Sequence, residues 1–153
     1  MEIPGFKLLR IAHLVLDYNG TLARDGKTIA GVGERLEMLA QRVSVHVLTA
    51  DTFGSAEKEL SGIPCKVSVI SKESQAEAKA LYVRNLGAGE TAAVGNGRND
   101  RIMLEEAALG IAVVQTEGCS PDALLSADVL CTSIADALDL LLNPLRLTAT
   151  LRS

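Results

Sequence analysis

The chain has 153 residues, 48% of them hydrophobic and 22% charged, with only four prolines. That mixture excludes a disordered chain, and the length predicts one domain spanning 1–153 with a substantial core. Fifteen Lys and Arg against 19 Asp and Glu leave a net charge of −4. This argues against nucleic acid or an anionic membrane as the main partner. A phosphorylated small molecule stays compatible, because backbone N–H groups can hold phosphate.

Three cysteines, Cys65, Cys119 and Cys131, are too few, and of the wrong parity, for a disulfide framework. No basic stretch followed by a long apolar run opens the chain, and no apolar run approaches the ~20 residues of a membrane span. The expectation is a soluble cytoplasmic protein.

In chain order, short apolar runs alternate with amphipathic stretches, the pattern of repeated β-α units. The first strand is 13–17, apolar almost throughout, as a strand covered on both faces should be. Tyr18-Asn19-Gly20-Thr21 turns the chain. Residues 22–30 contain Asp25-Gly26, a hairpin signal, and predict a small flap. A helix over 31–41 carries Val32, Leu36, Leu39 and Ala40 on one face. Strand 44–48 leads to Thr49-Ala50-Asp51. A short helix over 55–60 stops near Gly62 and Pro64. Strand 66–70, a helix over 72–86 and strand 91–94 follow. The last ends in Gly95-Asn96-Gly97-Arg98-Asn99-Asp100. A helix over 102–108 and strand 110–114 come next, then Ser120-Pro121, an N-cap followed by Pro at the first helical position. Residues 127–131 read as an edge strand. Ser133 caps a helix over 133–142 that Pro144 ends. The tail 145–153 carries no clear pattern. The predicted fold class is α/β: a three-layer, doubly wound, mostly parallel sheet.

In such sheets ligands gather at the carboxyl ends of the strands. Four successive β-α junctions carry polar groups there: Asp17 and Asn19; Thr49 and Asp51; Ser71 and Lys72, with Lys79 two turns into the helix; Asn96, Asn99 and Asp100. The set suits phosphoryl transfer. A carboxylate such as Asp17 can attack phosphorus. The Thr49 hydroxyl can hold phosphoryl oxygens, and a lysine can balance their charge. Lys72 is nearer the strand end than Lys79 and competes for that role. Asp17 and Asp100 are oxygen donors suited to Mg²⁺, which needs few carboxylates.

The run Asp17-Tyr18-Asn19-Gly20-Thr21-Leu22 after an apolar strand resembles the first motif of the haloacid dehalogenase (HAD) superfamily. Leu48-Thr49 resembles its second motif, Lys79 its third, and Gly95-Asn96-Gly97-Arg98-Asn99-Asp100 its fourth, in the form used by P-type ATPases. The resemblance runs from about 14 to 142, and its nearest branch is the soluble P-type-ATPase-like hydrolases. It implies Asp17 as nucleophile and Mg²⁺ ligand, with the Asn19 carbonyl as a second ligand. It implies Thr49 and the Ala50 backbone as phosphate binders, with Lys79 steadying Asp17 and the phosphoryl group. Asn96 and Asp100 would complete the metal shell, with Asn99 beside them. Thr49 lies 32 positions after Asp17, and Lys79 30 after Thr49, too few in either interval for a cap domain. A capless site is open to large substrates or covered by a second copy of the chain, so self-association is expected.

Two departures stand out. HAD phosphatases usually carry an acid two residues after the nucleophile; here it is Asn19, which cannot titrate. Asn96 stands where a metal-ligating Asp is usual. The expected activity is Mg²⁺-dependent hydrolysis, through an aspartyl-phosphate, of a compound with a good leaving group. The alternative is a HAD-fold protein of little turnover that binds phosphate, metal or a partner.

Overall fold

The computed structural model describes residues 1–153. An antiparallel hairpin opens the chain: β1 (Glu2–Ile3) and β2 (Lys7–Leu8). The central sheet begins with β3 (His13–Asp17). After it a smaller hairpin, β4 (Ala23–Arg24) and β5 (Lys27–Thr28), forms the flap that Asp25-Gly26 predicted. Then follow α1 (Val32–Leu39), β6 (Ser44–Thr49), α2 (Ser55–Glu59), β7 (Lys66–Val69) and α3 (Gln75–Leu86). The second half holds β8 (Thr91–Gly95), α4 (Arg101–Glu106), β9 (Leu109–Val113), α5 (Pro121–Ser126), β10 (Val129–Cys131), α6 (Ile134–Leu142) and α7 (Pro144–Leu151).

Six strands form one parallel sheet in the order β10-β9-β8-β3-β6-β7. The chain winds outward from β3 to β7, then crosses back through α3 to β8 on the other side of β3. That reversal opens a crevice at the carboxyl ends of β3 and β8. It also carries α3 over the end of β3.

Strand residues alternate between two cores, as a sheet covered on both faces requires. Leu14, Leu16, Val45 and Val47 pack with Leu36 of α1 and Ile134 and Leu138 of α6. Val15, Leu48 and Ala93 face the other way, against Val83 of α3 and Met103 and Leu104 of α4. Helices therefore cover both faces, and the three-layer, doubly wound expectation matches the architecture.

Differences lie at the ends of elements. The helix predicted from 72 starts at Gln75, because Ser74 takes a left-handed conformation (φ 55°) that interrupts the preceding turn. The tail without a pattern forms α7 and closes on the N-terminal hairpin, where the Ser153 N–H donates to the Pro4 carbonyl at 3.1 Å. Neither element is long enough to announce itself by periodicity; each is held by the other. Ser120 and Ser133 cap α5 and α6 as predicted, their hydroxyl oxygens accepting from the Asp122 and Asp136 N–H groups.

One polar seam crosses the α3 side. His46 contacts Tyr82 Oη through Nδ1 at 2.8 Å and His13 through Nε2 at 3.4 Å. Burial, followed by the neighbouring His13 and Lys66, holds the His46 imidazole below its usual 6.5. Above about pH 6.5 the ring is neutral in folded and unfolded chains alike. As pH falls through that value the unfolded chain takes up the proton more readily, so stability is lost. His46→Gln is expected to remove this part of the acid loss. Urea midpoints should then fall less between pH 7.5 and 5.5 than in the parent; equal falls would refute the assignment.

Candidate active site

Asp17 is the last residue of β3, and the Tyr18 carbonyl accepts from the N–H groups of Thr21, Leu22 and Ala23, coiling the chain directly after it. Gly20 makes that coil possible: its φ is 81°, and a Cβ there would strike the Asn96 amide. The buried Tyr18 hydroxyl donates to the Gly26 carbonyl at 3.0 Å and ties the flap down.

Three buried charges meet at the crevice. Lys79 Nζ donates to Asp17 Oδ1 at 2.7 Å and to Asp100 Oδ1 at 2.6 Å. Lys79 is only 1% exposed. Lys72 is exposed at the head of the α3 approach, so the structure brings Lys79, not Lys72, to the carboxylates. Burial, then the charge of Asp100, pushes the Asp17 carboxyl up to about 7, against the pull of Lys79. Burial draws the Lys79 ammonium down, but Asp17 and Asp100 outweigh it and leave it above the ordinary lysine value.

Asp100, expected as a metal ligand, also makes contacts within the protein. Its Oδ2 accepts from the N–H groups of Asn96 (3.0 Å) and Gly97 (2.8 Å), while its Oδ1 takes the lysine. Through these contacts Asp100 holds Lys79 and shapes the loop after β8. Gly95 admits it, since a Cβ there would meet the Asp100 side chain.

Thr21, spaced one turn after Asp17, carries a contact the motif alone did not assign. Its hydroxyl lies 3.1 Å from Asp17 Oδ2 and 3.3 Å from Asn96 Oδ1. One hydroxyl hydrogen serves one acceptor well. Two oxygens thus converge where a single donor is available, an arrangement that a cation completes. Asn96 Nδ2 donates to the Gly118 carbonyl at 3.1 Å, which leaves Oδ1 facing Asp17. The donor set, one carboxylate and a neutral amide oxygen, fits Mg²⁺ that keeps most of its waters. No group of three or more His, Cys, Asp or Glu side chains gathers anywhere, so a zinc-type cluster is not formed.

Thr49 ends β6 and is buried. Its Oγ1 accepts from the Asp51 N–H at 3.1 Å, leaving the hydroxyl hydrogen to donate. Asp51 itself binds the N–H groups of Phe53 and Ser55 and so arranges the loop. Ala50 is half-buried beside Thr49. Asn19, two residues after Asp17, is exposed. Asn99 donates to Gln75 Oε1 at 2.7 Å and ties the β8 loop to α3; Gln75 was not apparent from sequence. A cleft of about 580 Å³ lies between the flap and Gln115–Glu117. It touches this site only through Gly20, so the chemistry sits beside it rather than in it.

This architecture, a capless parallel α/β sheet with an aspartate at the end of its central strand, is the fold of the HAD superfamily. Solved structures align over most of the chain. One is the 3-deoxy-D-manno-octulosonate 8-phosphate phosphatase of Moraxella catarrhalis, in complex with magnesium, phosphate and KDO. It is 17% identical, with TM-score 0.71, covering 86% of each chain. The cobalt-bound phosphatase of the same kind from Haemophilus influenzae is 15% identical, with TM-score 0.73, covering 94% of each chain. A phosphoserine phosphatase in apo form is 14% identical, with TM-score 0.69, covering 88% of this chain and 99% of that one.

Among curated proteins, the uncharacterized protein MJ0072 of Methanocaldococcus jannaschii is 51% identical over 39 residues, which are 26% of this chain and 89% of that one. The chain belongs to one family with it. The uncharacterized MJ0073 of the same organism is 52% identical over 60 residues, 39% of this chain and 64% of that protein, so the chain spans less than two thirds of it. No family model matches the chain. No helix is long and apolar enough to cross a membrane.

Proposed function

We propose that the protein is a phosphohydrolase that works through an aspartyl-phosphate on Asp17. The observation that carries this reading is the buried Lys79 ammonium bridging Asp17 and Asp100 at the carboxyl end of the sheet. A lysine so held keeps Asp17 oriented and offers positive charge where phosphoryl oxygens gain negative charge in the transition state. The Thr49 hydroxyl and Ala50 N–H would receive those oxygens. Asp17 attacks phosphorus, the bond from phosphorus to the leaving oxygen breaks, and that oxygen takes its proton from water. Water then attacks the aspartyl-phosphate, releasing phosphate and restoring Asp17.

Asp17, the Asn96 amide oxygen and the Asn19 carbonyl would hold Mg²⁺, with Asp100 behind them. When bound, the ion neutralises phosphoryl charge and orients the group for in-line attack. The substrate is a small phosphorylated compound with a good leaving group, and a second copy of the chain covers the capless mouth. The test is Mg²⁺-dependent phosphate release from aryl and acyl phosphates, with mass detection of an 80 Da adduct on the Asp17 peptide. Release without the adduct would refute the covalent route.

Asn19, exposed two residues after Asp17, favours a second reading, a phosphate or metal binder of little turnover, because it supplies no proton. A positioned acid-base group contributes ~10²–10⁴-fold. Asn19→Asp adds such a group with little change of volume, and a nearby cation offsets its charge. Turnover on alkyl phosphates is expected to rise at least about tenfold. Unchanged or lower rates across substrates would favour the binder.

A further inference from the structure

We infer that Gln115 is a positioning residue for the nucleophile loop, acting from the loop after β9 without touching the reacting atoms. Its amide head is fully engaged. Nε2 donates to the Gly20 carbonyl at 3.2 Å and to the Thr21 carbonyl at 3.1 Å. Oε1 accepts from the Ile134 N–H at 2.7 Å. The last is one of the N–H groups left without an intrahelical partner at the start of α6. Gln115 therefore joins the nucleophile loop to a helix anchored in the core.

Thr21 passes the constraint on. Its carbonyl is held by Gln115 while its hydroxyl contacts Asp17 and Asn96. The same loop grips Asn96 from behind: the Gly118 carbonyl accepts from its Nδ2, and the Ser120 N–H donates to its carbonyl at 2.8 Å. Residues 116–118 are exposed and bury no apolar side chain of their own. These polar contacts and the packing of Cys119 on the α3-side core hold the loop, with Gln115 as its link to α6. Release of Gln115 would let Thr21 and Asn96 move relative to Asp17, and small misplacements at a reacting centre lower rates steeply.

The competing explanation is that Gln115 merely caps α6. Three variants separate the two. Gln115→Leu removes all three hydrogen bonds. Gln115→Glu keeps the acceptor for Ile134 but sets an oxygen against the Gly20 and Thr21 carbonyls. Ser133→Ala weakens the α6 cap alone. The kinetic arm rests on the phosphohydrolase reading. It expects kcat on an aryl phosphate to fall about tenfold in both Gln115 variants, with KM within about twofold of the parent. Ser133→Ala should lose Tm and keep kcat. A second arm needs no activity: amide hydrogen exchange at Thr21, Leu22 and Ala23 should quicken in both Gln115 variants and not in Ser133→Ala. Parental exchange at these amides in Gln115→Glu would overturn the inference, as would equal loss of kcat per degree of Tm in Gln115→Leu and Ser133→Ala. An inactive parent with quickened exchange in the Gln115 variants would refute the phosphohydrolase reading and leave the positioning role standing.

Discussion

Asp17→Asn is expected to lower phosphate release by at least ~10³-fold, the scale of losing a nucleophile, while leaving the metal-free protein at least as stable as the parent. The two halves have one cause. Asp17, Asp100 and Lys79 place two negative charges and one positive charge in a buried cluster. A buried pair tolerates its desolvation when the charges balance, and a third charge unbalances it. Asn at 17 leaves Lys79 paired with Asp100, which keeps its bonds to the Asn96 and Gly97 N–H groups. The Asn oxygen can still accept from Thr21. On this expectation the parent holds a charge that folding would do better without, in keeping with the proposed role of Asp17. Rates on an aryl phosphate and Tm in chelator-treated buffer at pH 8 measure both effects. A variant that keeps a tenth of parental turnover would remove Asp17 from the nucleophile's role. A clear fall in Tm would show that the lysine depends on both carboxylates.

Lys79→Met is the counterpart, expected to cost about 3–5 kcal/mol, the penalty for removing one partner from a buried ion pair. Methionine fills most of the lysine's volume, so the loss is electrostatic rather than a cavity. For a domain of ordinary stability this is a large share of the total. Asp100→Asn added to Lys79→Met removes one stranded carboxylate, and its oxygen can still accept from Asn96 and Gly97. The double variant should regain at least half the loss, measured by urea unfolding at pH 8. Additive penalties would mean that the three groups do not act as one cluster.

Much of the framework was legible from residue pattern. Strands β3, β6, β8 and β9 are covered on both faces, so they read as continuous apolar runs that few other structures explain. Their polar ends stood out because Asp17, Thr49 and Asn96 follow such runs directly. The flap was legible because Asp25-Gly26 has few uses other than a tight turn. The N-terminal hairpin and α7 were not, since each is short and stabilised by the other across almost the whole length of the chain.

The site divides in the same way. Asp17, Asn19, Thr49, Asn96, Asn99 and Asp100 all lie close to strand ends, and local order alone placed them at one edge of the sheet. The choice between Lys72 and Lys79 was not local. It depends on α3 starting at Gln75 and on its crossover above β3, which buries the later lysine between two carboxylates and leaves the earlier one in water. The work of Asp100 was equally hidden: a sequence shows a carboxylate but not that Lys79 and two backbone N–H groups already occupy it. Gln115 carries no motif, and Thr21 sits in one that names none of its contacts, because their partners are carbonyls and side chains brought near only by folding. Residue order by itself determined the strand frame, the turn after Asp17 and an Asn19 that cannot titrate. The tertiary structure decided which charges meet, since that follows from the handed return of α3 across the sheet and from burial, which makes each unpaired charge costly and each pairing specific.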